Sequence, residues 1–403
     1  MHLSSATSLL CPFSNTFCDE KVRSECSMKP KIYRSINQID QAVWNKLVPN
    51  ENPFLSLAYL RSLEENQQDM QLFYAVFCEN NEAVGIACFQ GVSLQTSLDL
   101  AERSKLTDGI FNVFKQIVNR KTFQLLICGN VFVTGAFGYH FMDKIPEANQ
   151  LKAVSSAIDL VKKDHSFDLI MIKDLDGTTV KTAAETLSGF QQLLAQPNME
   201  LPIRKEWETF EHYLADMTSK YRKNALKNVK RGHNIVRREL SLTEIEQHNE
   251  AIYAFYYELC NKVDFNIAIA NPNYFLENKK QLGDRFTILG YFIEEELVGF
   301  ISLLKAGTYL DSHFIGYNED INKANSLYPF VLLDQIRYAI DEKFELLSFG
   351  RTALEIKSSF GAEPLQQTSF GWAKSPLYHR LAPLLFERFG DELEWIQRHP
   401  FKD

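Results

Sequence analysis

The segments LFYAVFCENNEAVGIACFQ (72–90) and FTILGYFIEEELVGFISLL (286–304) carry one pattern: an apolar strand, a short polar or acidic turn, a valine-glycine pair at the same place, and a second apolar strand. Apolar runs joined by such turns read as antiparallel hairpins, with Asn80-Asn81 and residues 294–296 as the turns. After each hairpin come a further strand, a helix (148–164 and 329–342) and a closing strand (FDLIMI and FELLSFG). A chain that repeats this order is constrained to an internal duplication of one α/β unit of about 170 residues. At 403 residues, 45% hydrophobic and 23% charged, the sequence has the length and the globular composition for two such cores.

The expected division is a disordered extension over 1–29, a first domain over 30–200 and a second over 201–403, parted where two prolines in PNMELP (197–202) interrupt the pattern. In the first unit KIYRSI reads as a strand, 37–47 and the segment after Pro53 as helices, FQLLICGNVFVTG as one strand and TVKTAAETLSGFQQLL as a helix. In the second, 207–217, 219–231 and 242–263 are helical and IVRREL is a strand. No apolar run approaches the ~20 residues a spanning helix needs. The opening MHLSSATSLL lacks the basic start and apolar length of a secretory signal, so the chain reads as cytoplasmic, with Met1 and Met28 both available as starts. Seven cysteines, odd in number and scattered without CxxC or paired Cys/His spacing, imply neither a disulfide framework nor a metal site.

Although the formal net charge is −8, SKYRKNALKNVKRGHNIVRR (219–238) holds eight basic residues with no carboxylate between Asp216 and Glu239. At 3.6 residues per turn Lys220, Lys223, Lys227 and Arg231 share one side, while Tyr221, Ala225 and Val229 fall nearer the other. Such a face calls for an anionic partner, phosphate first. The same run also fits a solvated helix face or contact with phospholipid headgroups.

Three local signatures accompany the duplication: NPFLSLAYLRSLE (52–64), FEHYLADMTSKYRKNALKNVKR (210–231) and FGRTALEIKSSFGAEP (349–364), the last with Gly350, Lys357, Phe360 and Gly361 spaced as a glycine, a spacer, a lysine and a phenylalanine-glycine. With these motifs, the order of elements from Pro30 onward resembles the GNAT acyl-CoA N-acyltransferase fold, and its duplication resembles the Fem-type peptidyl transferases of bacterial cell-wall synthesis and their acetyltransferase-like relatives. The resemblance implies an α/β (α+β) chain: a duplicated GNAT-like fold of two mixed sheets flanked by helices. It also implies transfer of an acyl group from a thioester or ester to an amine. The substrate's own amine is then the nucleophile, and the protein orients it, takes a proton and stabilises the oxyanion. Consistent with that chemistry, there is no G-x-S-x-G elbow, and Cys260 in YYELCNKV reads as a structural thiol. The expected donor is acyl-CoA or another anionic acyl donor, with no tightly bound cofactor, and the acceptor an amine of a lipid, sugar or envelope precursor. Aminoacyl-tRNA ranks second, because 242–263 is too short and too apolar for the coiled-coil arm some Fem-type ligases use for it. A non-catalytic module for an anionic lipid or glycan is the third reading. The amphipathic, aromatic stretch SPLYHRLAPLLFERFG (375–390) suits an apolar acyl chain or peripheral contact with the inner membrane face.

Within that fold the strand TYLDSHFIGY corresponds to one that lines the transfer site. Asp311 and His313, two apart, share a face, and the carboxylate is placed to tune the imidazole as a base near neutral pH. Tyr328, with Tyr317, offers a hydroxyl to the amine or the leaving group. Tyr221, Arg222, Lys223 and Lys227 are the expected ligands of an anionic substrate. Lys323 stands beside a helix start at 326–329, where backbone N–H groups and the helix dipole hold phosphate. Arg351 follows a closing strand, where open α/β sheets place ligands, and Lys357 sits among small and apolar residues. His313 and Lys357 are expected to face one cleft, with the glycine-rich GNVFVTGAFG (129–138) as a flexible loop nearby.

Overall fold

The computed structural model describes residues 28–95, 122–262, 266–380 and 395–402. Residues 1–27 of the expected extension over 1–29, and most of the amphipathic segment 375–390, lie outside the described residues. Met28 is already buried and the first strand begins at Lys29, one residue ahead of the expected start of the first unit.

Two mixed sheets form. The first runs β1 (Lys29–Tyr33), β2 (Gln71–Glu79), β3 (Glu82–Gln95), β4 (Thr122–Cys128), β6 (Leu169–Leu175), β15 (Thr368–Ala373) and β7 (Gln191–Leu194), with β5 (Tyr139–Phe141) pairing β3. The second runs β9 (Ile235–Glu239), β10 (Phe286–Ile293), β11 (Glu296–Ala306), β12 (Tyr309–Tyr317), β13 (Leu346–Ser348), β8 (Asn198–Pro202) and β14 (Glu363–Leu365). The two orders match strand for strand: an antiparallel hairpin, a third antiparallel strand, then one parallel pair, β4 with β6 and β12 with β13. The hairpin turns use residues that tolerate positive φ, Asn80 at 49° and Asn81 at 63° in the first and Glu294 at 55° in the second.

The duplication extends further than the sequence pattern indicated. Each unit ends in two short strands that part company: β7 stays on the first sheet while β8 joins the second, and β14 stays on the second while β15 returns to the first. PNMELP is therefore a buried strand of the second sheet, and QQLL, read as the end of a helix, is β7, because the helix Gly177–Thr186 stops before Gly189 (φ 80°). The expected boundary at 200/201 divides the chain but not the sheets.

Three apolar layers follow. The helix Glu147–Asp164 packs Leu151, Val154, Ile158 and Val161 on the outer face of the first sheet. The helix Leu327–Asp341 packs Val331, Leu332 and Ile336 on the outer face of the second. Between the sheets lies a shared core built from the helices that follow the first strand of each unit, Gln41–Leu47 and Leu57–Asn66, and Leu242–Cys260 and Tyr274–Leu282. Trp44 is fully buried there, its indole donating to the Leu55 carbonyl at 2.7 Å and its ring edge-on to Tyr74. Truncating such a side chain removes about 3–5 kcal/mol. Among the described residues no helix is long and apolar enough to cross a membrane.

Candidate active site

Strand β12 holds the expected acid and imidazole at the point where its sheet opens. The parallel ladder with β13 runs only through Tyr309–Leu346, Leu310–Leu347 and Asp311–Ser348. Beyond Asp311, β12 continues to Tyr317 on β11 alone, with a register shift where Ser302 faces Phe314 and Leu303 faces Ser312. His313 is the extra residue of this bulge, which turns Asp311, His313 and Phe314 toward the core between the sheets, while Leu310, Ile315 and Tyr317 pack on the outer side.

Both groups are buried. His313 Nε2 meets the Tyr274 hydroxyl at 2.8 Å, while Nδ1 has no hydrogen-bond partner among the described residues and lies 3.8 Å from Asp311 Oδ1, too far for a hydrogen bond. Burial without a counter-charge pushes the imidazole down to about 3, so it stays neutral and makes no ion pair with Asp311. Burial pushes Asp311 up to about 7, against the Tyr309 hydroxyl that donates to its carboxylate at 3.3 Å. The expected order is thereby reversed: Asp311 titrates near neutrality, and His313, whose cation the core disfavours, is the poorer base.

Around this pair runs a polar network that the sequence did not reveal. Asn130 donates to the Tyr59 hydroxyl at 2.8 Å, and Tyr59 contacts the Tyr274 hydroxyl at 3.3 Å, so one chain of groups joins the first unit to His313. The segment 129–138 supplies Asn130 and also Phe132, whose ring packs on Tyr274 and Phe314. It is pinned: Asp174 accepts from the Gly135 N–H at 3.0 Å, Lys173 donates to the Val133 carbonyl at 2.6 Å, and Gln90 accepts from the Val131 N–H at 2.8 Å. Gly138 lies so close to Gly129 that a Cβ would approach the latter's nitrogen to 2.5 Å, so the two ends of the loop require glycine. The segment 129–138, expected as a flexible loop near the site, is tied by these bonds to β3 and β6.

Arg351 and Lys357 serve this framework. Arg351 bonds Asp174 at 2.7 Å and the Gln196 carbonyl at 2.7 Å, and Asp174 also pairs with its neighbour Lys173. Burial alone would raise the Asp174 carboxyl, but Lys173 and Arg351 outweigh it and hold the group well below the usual carboxylate range. Asp174 and Arg351 stand equally far past Phe167 and Phe344 in the two units, so the bridge links equivalent positions of the duplication. Lys357 donates to the carbonyls of Gly350 at 3.1 Å and Arg351 at 2.6 Å, bracing a turn in which Gly350, Thr352 and Ala353 all have positive φ. Arg351 is thus engaged by Asp174 and the Gln196 carbonyl, and Lys357 by two backbone carbonyls.

Tyr328 lies on the opposite side of the second sheet, 5.9 Å from the Tyr317 ring, and is not brought together with Asp311 and His313. Its N–H is taken by Asn322 Oδ1 at 2.9 Å, Pro329 has none, and the Phe330 N–H bonds the Ser326 carbonyl at 3.0 Å, so these three positions offer phosphate no free N–H. What does arrive there is Arg231, whose guanidinium donates to Ser326 at 2.9 Å, with Lys323 exposed nearby in sequence. The equivalent helix of the first unit begins instead with Glu147, held by Thr179 and Thr182. Along Ser219–Arg231, Lys223 and Lys227 are exposed, Arg222 is half-buried, and Tyr221 packs on the outer core at the edge of a pocket of about 450 Å³ lined also by Lys220, Glu355, Ile356, Ser359 and Arg398.

No protein-family model matches the sequence, and no curated protein matches it. Solved structures do. The chain superposes on FemX with a TM-score of 0.53 at 12% identity, covering 87% of this chain and 100% of that one. It superposes on a tandem GNAT protein from the clavulanic acid biosynthesis pathway with a TM-score of 0.50 at 10% identity, covering 87% and 99%. At such identities the likeness speaks to fold alone: the chain carries two GNAT-like units in tandem, with the Fem-like fold.

Proposed function

We propose that the protein is an N-acyltransferase that moves an acyl group from a thioester, acyl-CoA, to an amine of a lipid, sugar or envelope precursor. The observation that carries this reading is the place of Asp311, a buried carboxyl in the last pair before β12 and β13 part, which burial pushes up to about 7. An acceptor amine enters as its ammonium ion and must lose a proton before it can attack. A base matched to neutral pH takes that proton, the amine adds to the thioester carbonyl, and collapse of the tetrahedral oxyanion expels the thiolate, which recovers a proton from the carboxylic acid while the amide nitrogen releases its second proton to solvent. In this reading a linear thioester reaches Asp311 where β12 and β13 part. The donor's phosphates then meet the Arg231 side chain beside Ser326 rather than the helix N–H groups, and they avoid the first unit, where the matching helix opens on the carboxylate of Glu147, which repels phosphate.

The test is thiol release from acyl-CoA across a panel of amines, with Asp311→Asn compared to the native protein. Asp311→Asn is expected to slow transfer by ~10² to 10⁴ while leaving donor affinity intact. A site filled at ~100 times its dissociation constant raises stability by about 2.7 kcal/mol, so melting with acyl-CoA reports binding directly. Stabilisation by aminoacyl-tRNA but not acyl-CoA would move the donor to the second class, and binding of either without transfer would leave a binding module.

A further inference from the structure

We propose that the exposed face of the helix Ser219–Arg231, with the pocket at its first turn, docks on an anionic phospholipid bilayer. The structure divides the eight basic residues of 219–238 into two groups. Arg237 and Arg238 are paired with Asp334 and Glu295, and Arg222 is half-buried. Lys220, Lys223, Lys227, Lys230 and Arg231 are exposed, and none of the four lysines makes an ion pair among the described residues. Ala225 is buried and Tyr221 and Val229 pack on the core, so the exposed arc holds these five cations with Asn224 and Leu226 and no acid. Thirteen residues make a strip about 20 Å long. On a chain of net charge −8, a strip of this sign draws only one orientation toward a negative surface.

Two further features favour a bilayer over a nucleic acid. Leu226 is 48% exposed at the flank of the strip, and Ile396, two residues before the pocket residue Arg398, is 56% exposed; a headgroup layer takes up such aliphatic side chains. The strip offers no exposed aromatic ring for base stacking, since Tyr221 is committed to the core. In the pocket, Lys220 is the cation left for a headgroup phosphate, since Arg398 is paired with Glu355. Docking on a bilayer does not require acyl transfer.

The experiment is co-sedimentation of the full chain with vesicles of phosphatidylcholine alone and of phosphatidylcholine carrying about 30% phosphatidylglycerol. Binding is expected to the anionic vesicles only, and to fall with added salt. The triple variant Lys223→Gln, Lys227→Gln, Lys230→Gln should lose about 100-fold in partitioning, at unchanged melting temperature. Leu226→Asn should lose several-fold while keeping the salt dependence. Absence of vesicle binding, or full binding by the triple variant, overturns the proposal. Binding of bulk tRNA without binding of vesicles overturns it in favour of RNA.

Discussion

Asp311 and His313 are driven in opposite directions by the same burial, and the consequence is measurable without knowing any substrate. Asp311, raised from 3.8 to about 7, holds its proton more tightly in the folded state, so its contribution to stability is full below pH 4 and is lost as pH rises toward 7. His313, lowered from 6.5 to about 3, contributes stability that is present above pH 6.5 and is lost as pH falls toward 3. Between about pH 4 and 6.5 the two slopes oppose each other, each worth roughly 4 kcal/mol over its whole window. Denaturation across pH should therefore show a shallow dependence in the native protein, stability falling with rising pH in His313→Gln, and stability falling with decreasing pH in Asp311→Asn. Parallel curves for the three proteins would show that neither group is buried as described. The alternation in TYLDSHFIGY was enough to put both residues on one side, but it carried no information on which would be the base. That depends on a core assembled from Tyr59, Asn130 and Tyr274, each in a separate part of the chain, where one tyrosine among 16 gives no signal of its own.

At the scale of elements, the apolar periods located the hairpins and most helices of both units but missed Tyr274–Leu282, which carries the tyrosine on His313, and they failed where a strand ends for a reason not written in its apolar residues. FQLLIC stops at Cys128 because Gly129 (φ 150°) turns the chain out of the sheet, and the apolar Val131, Phe132 and Val133 that seemed to extend it serve the core between the sheets instead. Likewise Lys357 looked like a ligand because it is charged among small and apolar neighbours, whereas the structure uses that charge on backbone carbonyls. Lys357→Met should accordingly leave the carbonyls of Gly350 and Arg351 without this donor and lower stability by about 2 kcal/mol in urea denaturation. Unchanged stability with weakened acyl-CoA binding would return Lys357 to the substrate. The run LIMIKDL did hold a readable clue, a lysine-aspartate pair closing an apolar strand, since buried charges are kept only where they are paired.

The whole molecule is organised by the exchange of β8 and β15, which no local pattern announces because each is a short strand whose partner lies in the other unit. The exchange places Asp174 and Arg351 against each other at the junction, a charged pair inside the protein with Lys173 beside it. Removing the carboxylate by Asp174→Asn leaves two cations facing one another at a buried site, and a loss of about 3–5 kcal/mol is expected in thermal melting. The exchange also decides how the chain unfolds. The first sheet lacks the strand between β6 and β7 until residues 368–373 are in place, and the second lacks the strand between β13 and β14 without residues 198–202. Two units that each complete the other should melt in a single transition, seen alike by near-ultraviolet circular dichroism and by calorimetry. A chain ending at residue 362 should fail to reach that state, because β6 and β7 would be left as unpaired edges on either side of an empty strand position, and a peptide of residues 363–403 added in trans should restore it. Two separate transitions in the full chain, or a cooperatively folded 28–195 fragment, would show that each unit closes its own sheet and that the paired strands are an ornament of the duplication rather than its lock.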